Sequence, residues 1–197
     1  MRLIQLLCAL ALAAGGGLAA AQPNFSHVEV GYLADVDFDV DSGDGLDLHV
    51  RDELFDTILF HGYVEDTKGD DTDLEVDRFG LAFGLTTVWL EKLGVFATVG
   101  YEDLEIKAPV GEFNDKGYGV EVGARYPLME GKLELGIEAD YDSYDHSEGR
   151  FFELMGAYQL TPRFAGVLSY ATGEFDFDGL EDAVERDDIR VALRMNF

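Results

Sequence analysis

Three features of the sequence predict an all-β fold, an antiparallel up-and-down transmembrane β-barrel. Apolar residues alternate with small or charged ones at period two, a unit of roughly 35 residues recurs, and the chain closes on an unbroken alternate row of apolar side chains. Period two is the spacing of a strand with two unlike faces. In VEVGYLADVDFDV the apolar set is Val28, Val30, Tyr32, Ala34, Val36, Phe38 and Val40, with Leu33 alone out of step. GYGVEVGARYPL sets Tyr118, Val120, Val122, Ala124, Tyr126 and Leu128 against Gly117, Gly119, Glu121, Gly123 and Arg125. KLELGIEADY and RFGLAFGL behave likewise, whereas the faces of ILFHGYVED and RFAGVLSYAT are not assignable.

Five segments rise into acid-rich ends, each with a tyrosine at a matching place: Tyr32, Tyr63, Tyr101, Tyr141 and Tyr170. Five descend between them, which makes ten strands; eight is the alternative if the hairpin at Arg51 to Tyr63 is misread. Short connections hold Asp52 to Asp56, Thr87 to Lys92, Pro127 to Gly131 and Thr161 to Arg163. The others read as longer acidic loops, around 41–46, 67–72, 107–116, 146–150 and 177–187. Bacterial outer-membrane barrels have such an asymmetry, with short periplasmic turns and longer loops outside.

The chain begins with Met1, Arg2, an apolar run from Leu3 to Ala14, and Ala19-Ala20-Ala21 before Gln22. That is the pattern of a cleavable secretory signal over 1–21, followed by one domain over 22–197. The only cysteine, Cys8, lies in the signal, so the mature chain is expected to form no disulfide. A net charge of −26 excludes nucleic acid held by backbone neutralisation, which needs lysine and arginine. Its 12% aromatic content separates it from acidic disordered chains.

Alternation also permits a soluble barrel with its apolar side inward. The opposite face decides: it is rich in glycine, small residues and isolated charges, as a narrow lumen requires. Aromatic residues cluster near strand ends, as girdles at two interfaces do: Phe25, Trp89, Tyr126, Tyr158 and Phe164 low, the five repeat tyrosines high. In DDIRVALRMNF, Ile189, Val191, Leu193, Met195 and Phe197 form the closing apolar row. This strand resembles the assembly signal of Gram-negative outer-membrane barrels, which implies an outer-membrane location and the barrel assembly machinery as a partner. SHVEVGYLADVD, GLDLHV with ILFHGYVED, and GYGVEVGARYPL are similar in order and spacing to a family of small outer-membrane barrels of xanthomonads, regulated by a diffusible signal. That resemblance covers the mature chain and implies a fold and a location, with no catalytic residue carried over.

The five acid-rich ends hold about 30 of the 40 carboxylates. The inward face at mid-height is nearly balanced: Glu29, Glu102, Glu121, Glu134, Glu138 and Glu153 against His49, Arg51, Arg78, Arg125, Arg190 and Arg194. Desolvated charges in a narrow bore must be paired, so these rows predict an ion-pair ladder closing the lumen, centred on Arg78, Glu121 and Arg125. The opposite expectation is that they point to the rims and never meet.

ADVDFDVDSGDG resembles a calcium loop, yet counting from Asp37 the glycine and glutamate places of an EF-hand hold Ser42 and Leu48. Asp35 to Asp39 are therefore expected on the inner face of a rising strand. No metal site follows; weak divalent binding at Asp37, Asp39 and Asp41 is the remaining cation reading, with lipopolysaccharide phosphates wanting the same bridging ions. No cofactor motif is present: Gly117, Gly119 and Gly123 miss the dinucleotide spacing. Asp145, His146 and Ser147, neighbours at a loop tip, lack the separate placement a triad needs. The expected function is non-enzymatic, in envelope structure or surface interaction, in contact with the bilayer and lipopolysaccharide. The alternative is a narrow cation-favouring, porin-like channel.

Overall fold

The computed structural model describes residues 23, 25–38, 41–70, 72, 74–90, 92–109, 111–178 and 183–197. The signal expected over 1–21 lies outside the described residues. Ten strands follow one another: β1 (His27–Phe38), β2 (Asp41–Leu54), β3 (Ile58–Gly69), β4 (Glu75–Trp89), β5 (Leu93–Ala108), β6 (Gly111–Leu128), β7 (Leu133–Tyr144), β8 (Ser147–Gln159), β9 (Phe164–Phe177) and β10 (Val184–Asn196). Each pairs antiparallel with its neighbours, and β1 pairs with β10, so the sheet closes and leaves no edge. The eight-strand alternative is set aside: the hairpin around Arg51 to Tyr63 is β2 and β3, paired from Leu54↔Ile58 to Gly43↔Gly69.

Tight turns join the strands at the end that carries the termini, which we call the lower end. Phe55-Asp56 and Met129-Glu130 turn at positive φ, the twist that matches a hairpin's strands. At the upper end the expected long loops are mostly strand. β5 and β6 run for 16 and 18 residues and reach across to Ala108↔Gly111. The acid-rich segments keep alternating, so each presents one face to water and one to the interior, and the ladder continues where composition suggests a loop.

Polarity is inverted relative to a soluble protein. Val30, Leu46, Phe83, Leu85, Val99 and Leu168 are each more than half exposed on the outside, while arginines and glutamates are buried within. Two aromatic assignments need correction. Phe25 is no girdle residue: it is 1% exposed and packs inside the lower mouth against Phe96 and Leu59. Tyr63 differs from Tyr32, Tyr101, Tyr141 and Tyr170, which are exposed. Its hydroxyl donates to the buried Glu102 at 2.5 Å, because Tyr63 shares the inward register of His61 and Glu65.

A bulge in β1 overturns the expected register of the opening acidic stretch. The pairing with β10 shifts between Leu33 and Asp35, so Leu33 and Val36 are both buried while Asp35 and Asp37 are exposed outside. An extra residue in one strand swaps the faces of everything beyond it. Asp39 and the Asp41 side chain lie outside the described residues. Leu33 and Val36 instead join Val76, Leu104, Tyr144 and Phe175 in an apolar cluster inside the upper bore. Val36→Asp is therefore expected to cost about 2–4 kcal/mol and Asp35→Ala within about 0.5 kcal/mol. Chemical unfolding of the two variants in detergent checks this, since an unbulged strand reverses their order.

Candidate functional site

The bore of the closed sheet is the candidate site. Period two sends the charged residues at mid-height of the strands inward, and the staggered register of the barrel brings side chains from distant strands to one level. On β10, Arg190 and Arg194 stand on the same face and share Glu29 of β1. Arg190 Nη1 donates to Glu29 Oε2 at 2.7 Å and Arg194 Nε to Glu29 Oε1 at 2.6 Å. Arg190 also forks onto Asp47, with Nη2 2.9 Å from Oδ1. Arg194 continues to Glu134 at 2.7 Å, whose carboxylate lies 3.8 Å from Arg125. Arg125 donates to Glu138 at 3.1 Å, and Arg51 grips that same carboxylate at 2.7 and 2.6 Å. Arg51 Nη2 also donates to Glu121, which receives Thr98 at 3.2 Å and lies 2.9 Å from His61 Nδ1.

Four arginines and five carboxylates thus alternate without a break across the bore. Shared carboxylates let Arg51, Arg190 and Arg194 each donate through two or more nitrogens, the geometry that repays desolvation best, while Arg125 hydrogen-bonds through Nη2 alone. Gly31 makes room for this: a Cβ there would collide with Asp47 Oδ1 and lie 2.7 Å from Arg190 Nε.

Arg78 is not at the centre of this chain. It donates to Asp142 at 2.8 Å and lies 3.8 Å from Glu65, which in turn holds Arg186 at 2.6 Å. The rings of Phe151, Tyr63 and Phe175 surround it, at 4.9 to 5.9 Å from the guanidinium carbon. The hub between Glu121 and Glu138 is Arg51. Asp47, Glu65, Asp142 and Arg186 fall by composition within the acidic outer ends, yet all four point inward. Continuing the period-two count from Arg51, His61, Glu138 and Arg190 finds each of them.

Between the two tiers lies a cavity of about 110 Å³ lined by nine carboxylates and four arginines. Glu102, Asp140 and Glu153 form no ion pair among the described residues. The cavity has room for several waters, each needing about 10–15 Å³. A second cavity of about 20 Å³ sits lower, beside His27, Arg125 and Met155. Apolar clusters lie in the bore toward both ends: the Leu33 cluster above, and Phe25, Leu59 and Phe96 below.

At the upper rim, Lys107 is held above its ordinary pKa because it donates hydrogen bonds to Asp77 and Glu105. Asp145, His146 and Ser147 are not hydrogen-bonded to one another among the described residues. Asp115 gathers them instead, accepting the Asp145 and His146 backbone N–H groups at 3.1 and 2.9 Å and the Ser147 hydroxyl at 3.0 Å, which fixes the β7–β8 turn. Among the described residues no group of three or more His, Cys, Asp or Glu is arranged to hold a metal ion. Ile189, Val191 and Leu193 stand on the outside of β10; Met195 and Phe197 follow them as half-buried residues at its end.

No family model matches the sequence, and no curated protein sequence is similar to it. Among solved structures the chain is similar to Neisserial surface protein A, at 12% identity and TM-score 0.47, covering 87% of this chain and 96% of that one. It is similar to an outer-membrane channel from Pseudomonas putida F1, at 11% identity and TM-score 0.46, over 93% and 100% of the two chains. The NanC porin matches at 12% identity and TM-score 0.51, over 86% of this chain and all of that one. At such identity the NanC likeness is one of fold: the chain has the closed antiparallel β-barrel that this porin has.

Proposed function

We propose that the chain is an integral barrel of a Gram-negative outer membrane with a closed bore, serving envelope structure or surface interaction without catalysis. The observation that carries this is the inversion of polarity, a broad apolar exterior around a core of buried ion pairs. A hydrocarbon solvent makes that arrangement stable, and closure of the sheet gives every strand a hydrogen-bonded neighbour on both sides. The upper limit of the apolar belt is marked three times around the wall. Tyr32, Tyr101 and Tyr170 donate their hydroxyls to Asp44, Asp103 and Asp187 at 2.7, 3.0 and 3.1 Å. A ring in the interface with its hydroxyl toward water is the usual setting of such residues.

A strand needs about 9–11 residues to cross the hydrocarbon, so the rest of the long upper hairpins stands outside the membrane, with both termini periplasmic. Their carboxylates face lipopolysaccharide and the divalent cations that bridge its phosphates. The outward row of β10 is offered to the barrel assembly machinery, as the closing strand's resemblance to the assembly signal of Gram-negative outer-membrane barrels implies.

The second reading, a narrow cation-favouring channel, is supported by the excess of carboxylates over arginines in the cavity. Planar-bilayer recording of the refolded protein separates the two. Silence is expected, because two apolar layers and the arginine chain interrupt the bore. Steady cation-selective steps would sink the closed-bore reading.

A further inference from the structure

The lower seal contains side chains that belong to no strand. Pro23, Phe25 and Ser26 precede β1, and Phe25 turns into the bore instead of toward the outside. Its ring meets Phe96 edge-on, with centroids 5.6 Å apart and planes at 72°, and the Arg125 guanidinium carbon lies 5.5 Å from it. Phe96 in turn lies 4.9 Å from the guanidinium carbon of Arg51. The two rings therefore cover the arginine chain from below.

Ser26 anchors the segment to the wall. Its hydroxyl donates to Asp52 at 2.9 Å and accepts the Glu53 N–H at 3.0 Å, while its carbonyl accepts the Phe197 N–H at 3.3 Å. The facing wall is shaped to admit the segment: a Cβ on Gly94 would lie 2.8 Å from Phe25 Cζ and 2.8 Å from Pro23 Cγ. Any other residue at 94 collides with both.

We infer that this segment is a removable stopper, seated on Gly94, which keeps bulk water from the Arg51–Glu138–Arg125 chain and lifts out without breaking a strand pair. Its position gives it that freedom, since the ladder from β1 to β10 begins only at His27↔Asn196. The inference rests on the closed-bore reading and assigns one of its two seals to a movable part. Withdrawal opens the lower half of the ion-pair chain to bulk water while the apolar cluster above still shields the upper half from it.

The test uses the mature chain, whose only native cysteine is lost with the signal. Thr86→Cys then supplies a single thiol at an inward site, 2% exposed, opposite Phe96 in the β4–β5 ladder. Labelling by 2-aminoethyl methanethiosulfonate is followed in detergent micelles. It is expected to be slow with the stopper in place, and at least about tenfold faster in both Phe25→Ala and Gly94→Ala backgrounds, as opening becomes the dominant state. Circular dichroism and heat-modifiable gel mobility report that the barrel has formed; if one variant fails to fold, the other decides. Fast labelling of the parent, or a rate that neither substitution changes, overturns the stopper. Steady current from the unmodified protein sinks the closed bore instead, so the two failures are distinguishable.

Discussion

Arg51→Met is expected to destabilise the refolded barrel by about 3–5 kcal/mol, the cost of leaving a buried ion-pair partner uncompensated. Arg51 is 4% exposed and holds Glu138 through both nitrogens of its fork, with Glu121 on one of them. Methionine fills a similar volume, so the loss is chiefly electrostatic. After the substitution Glu138 keeps Arg125 and Glu121 keeps His61 and Thr98, which limits the damage to the hub. Adding Glu121→Gln to Arg51→Met is expected to recover part of the loss, since it removes one stranded charge. Denaturant unfolding in lipid vesicles gives the three values. A cost below about 1 kcal/mol for Arg51→Met, the range of an exposed pair, would mean that water reaches Arg51 and that the bore is not sealed there.

The second large effect is on the outside. Val122 is 48% exposed and lies midway along β6 between Tyr118 and Tyr126, paired with Ala97 and Ala139. Val122→Arg is expected to cost about 2–4 kcal/mol in a bilayer, as for arginine at the midplane, and Tyr126→Arg about 0–1 kcal/mol beyond its lost ring contacts, as near an interface. Unfolding in phospholipid vesicles checks the difference between them. Equal and small costs would show Val122 facing water, and the membrane reading would fail with them.

Much of the bore is legible in the amino-acid pattern. Alternation in the β6 and β7 sequences places Glu121, Arg125, Glu134 and Glu138 on one face, and the same count on the last strand places Arg190 and Arg194. What alternation does not specify is height. Which residue of one strand meets which residue of another depends on the stagger of the closed sheet, so Arg78, expected beside Glu121, reaches Asp142 instead. The hub falls to Arg51, on a strand whose neighbour has no readable faces.

A bulge is equally silent in a pattern. VGYLADVD reads as one continuous alternation with a single exception, Leu33; only pairing with β10 reveals that the exception marks the point where the faces exchange. The acid-rich ends read as loops for a related reason. Aspartate has low strand propensity, and hydrogen bonding to a neighbour overrides it.

That the chain forms strands with one apolar and one ionic face follows from the amino-acid order without further help, because period two is a local property of each residue and its next neighbours. Where the ionic faces meet, that Leu33 and Val36 turn into the upper bore, and that Phe25 lies inside the lower mouth all emerge only in the folded barrel. Those outcomes depend on register, bulge and closure. They are set by pairing between residues as far apart as Glu29 and Arg194, which no window of sequence contains.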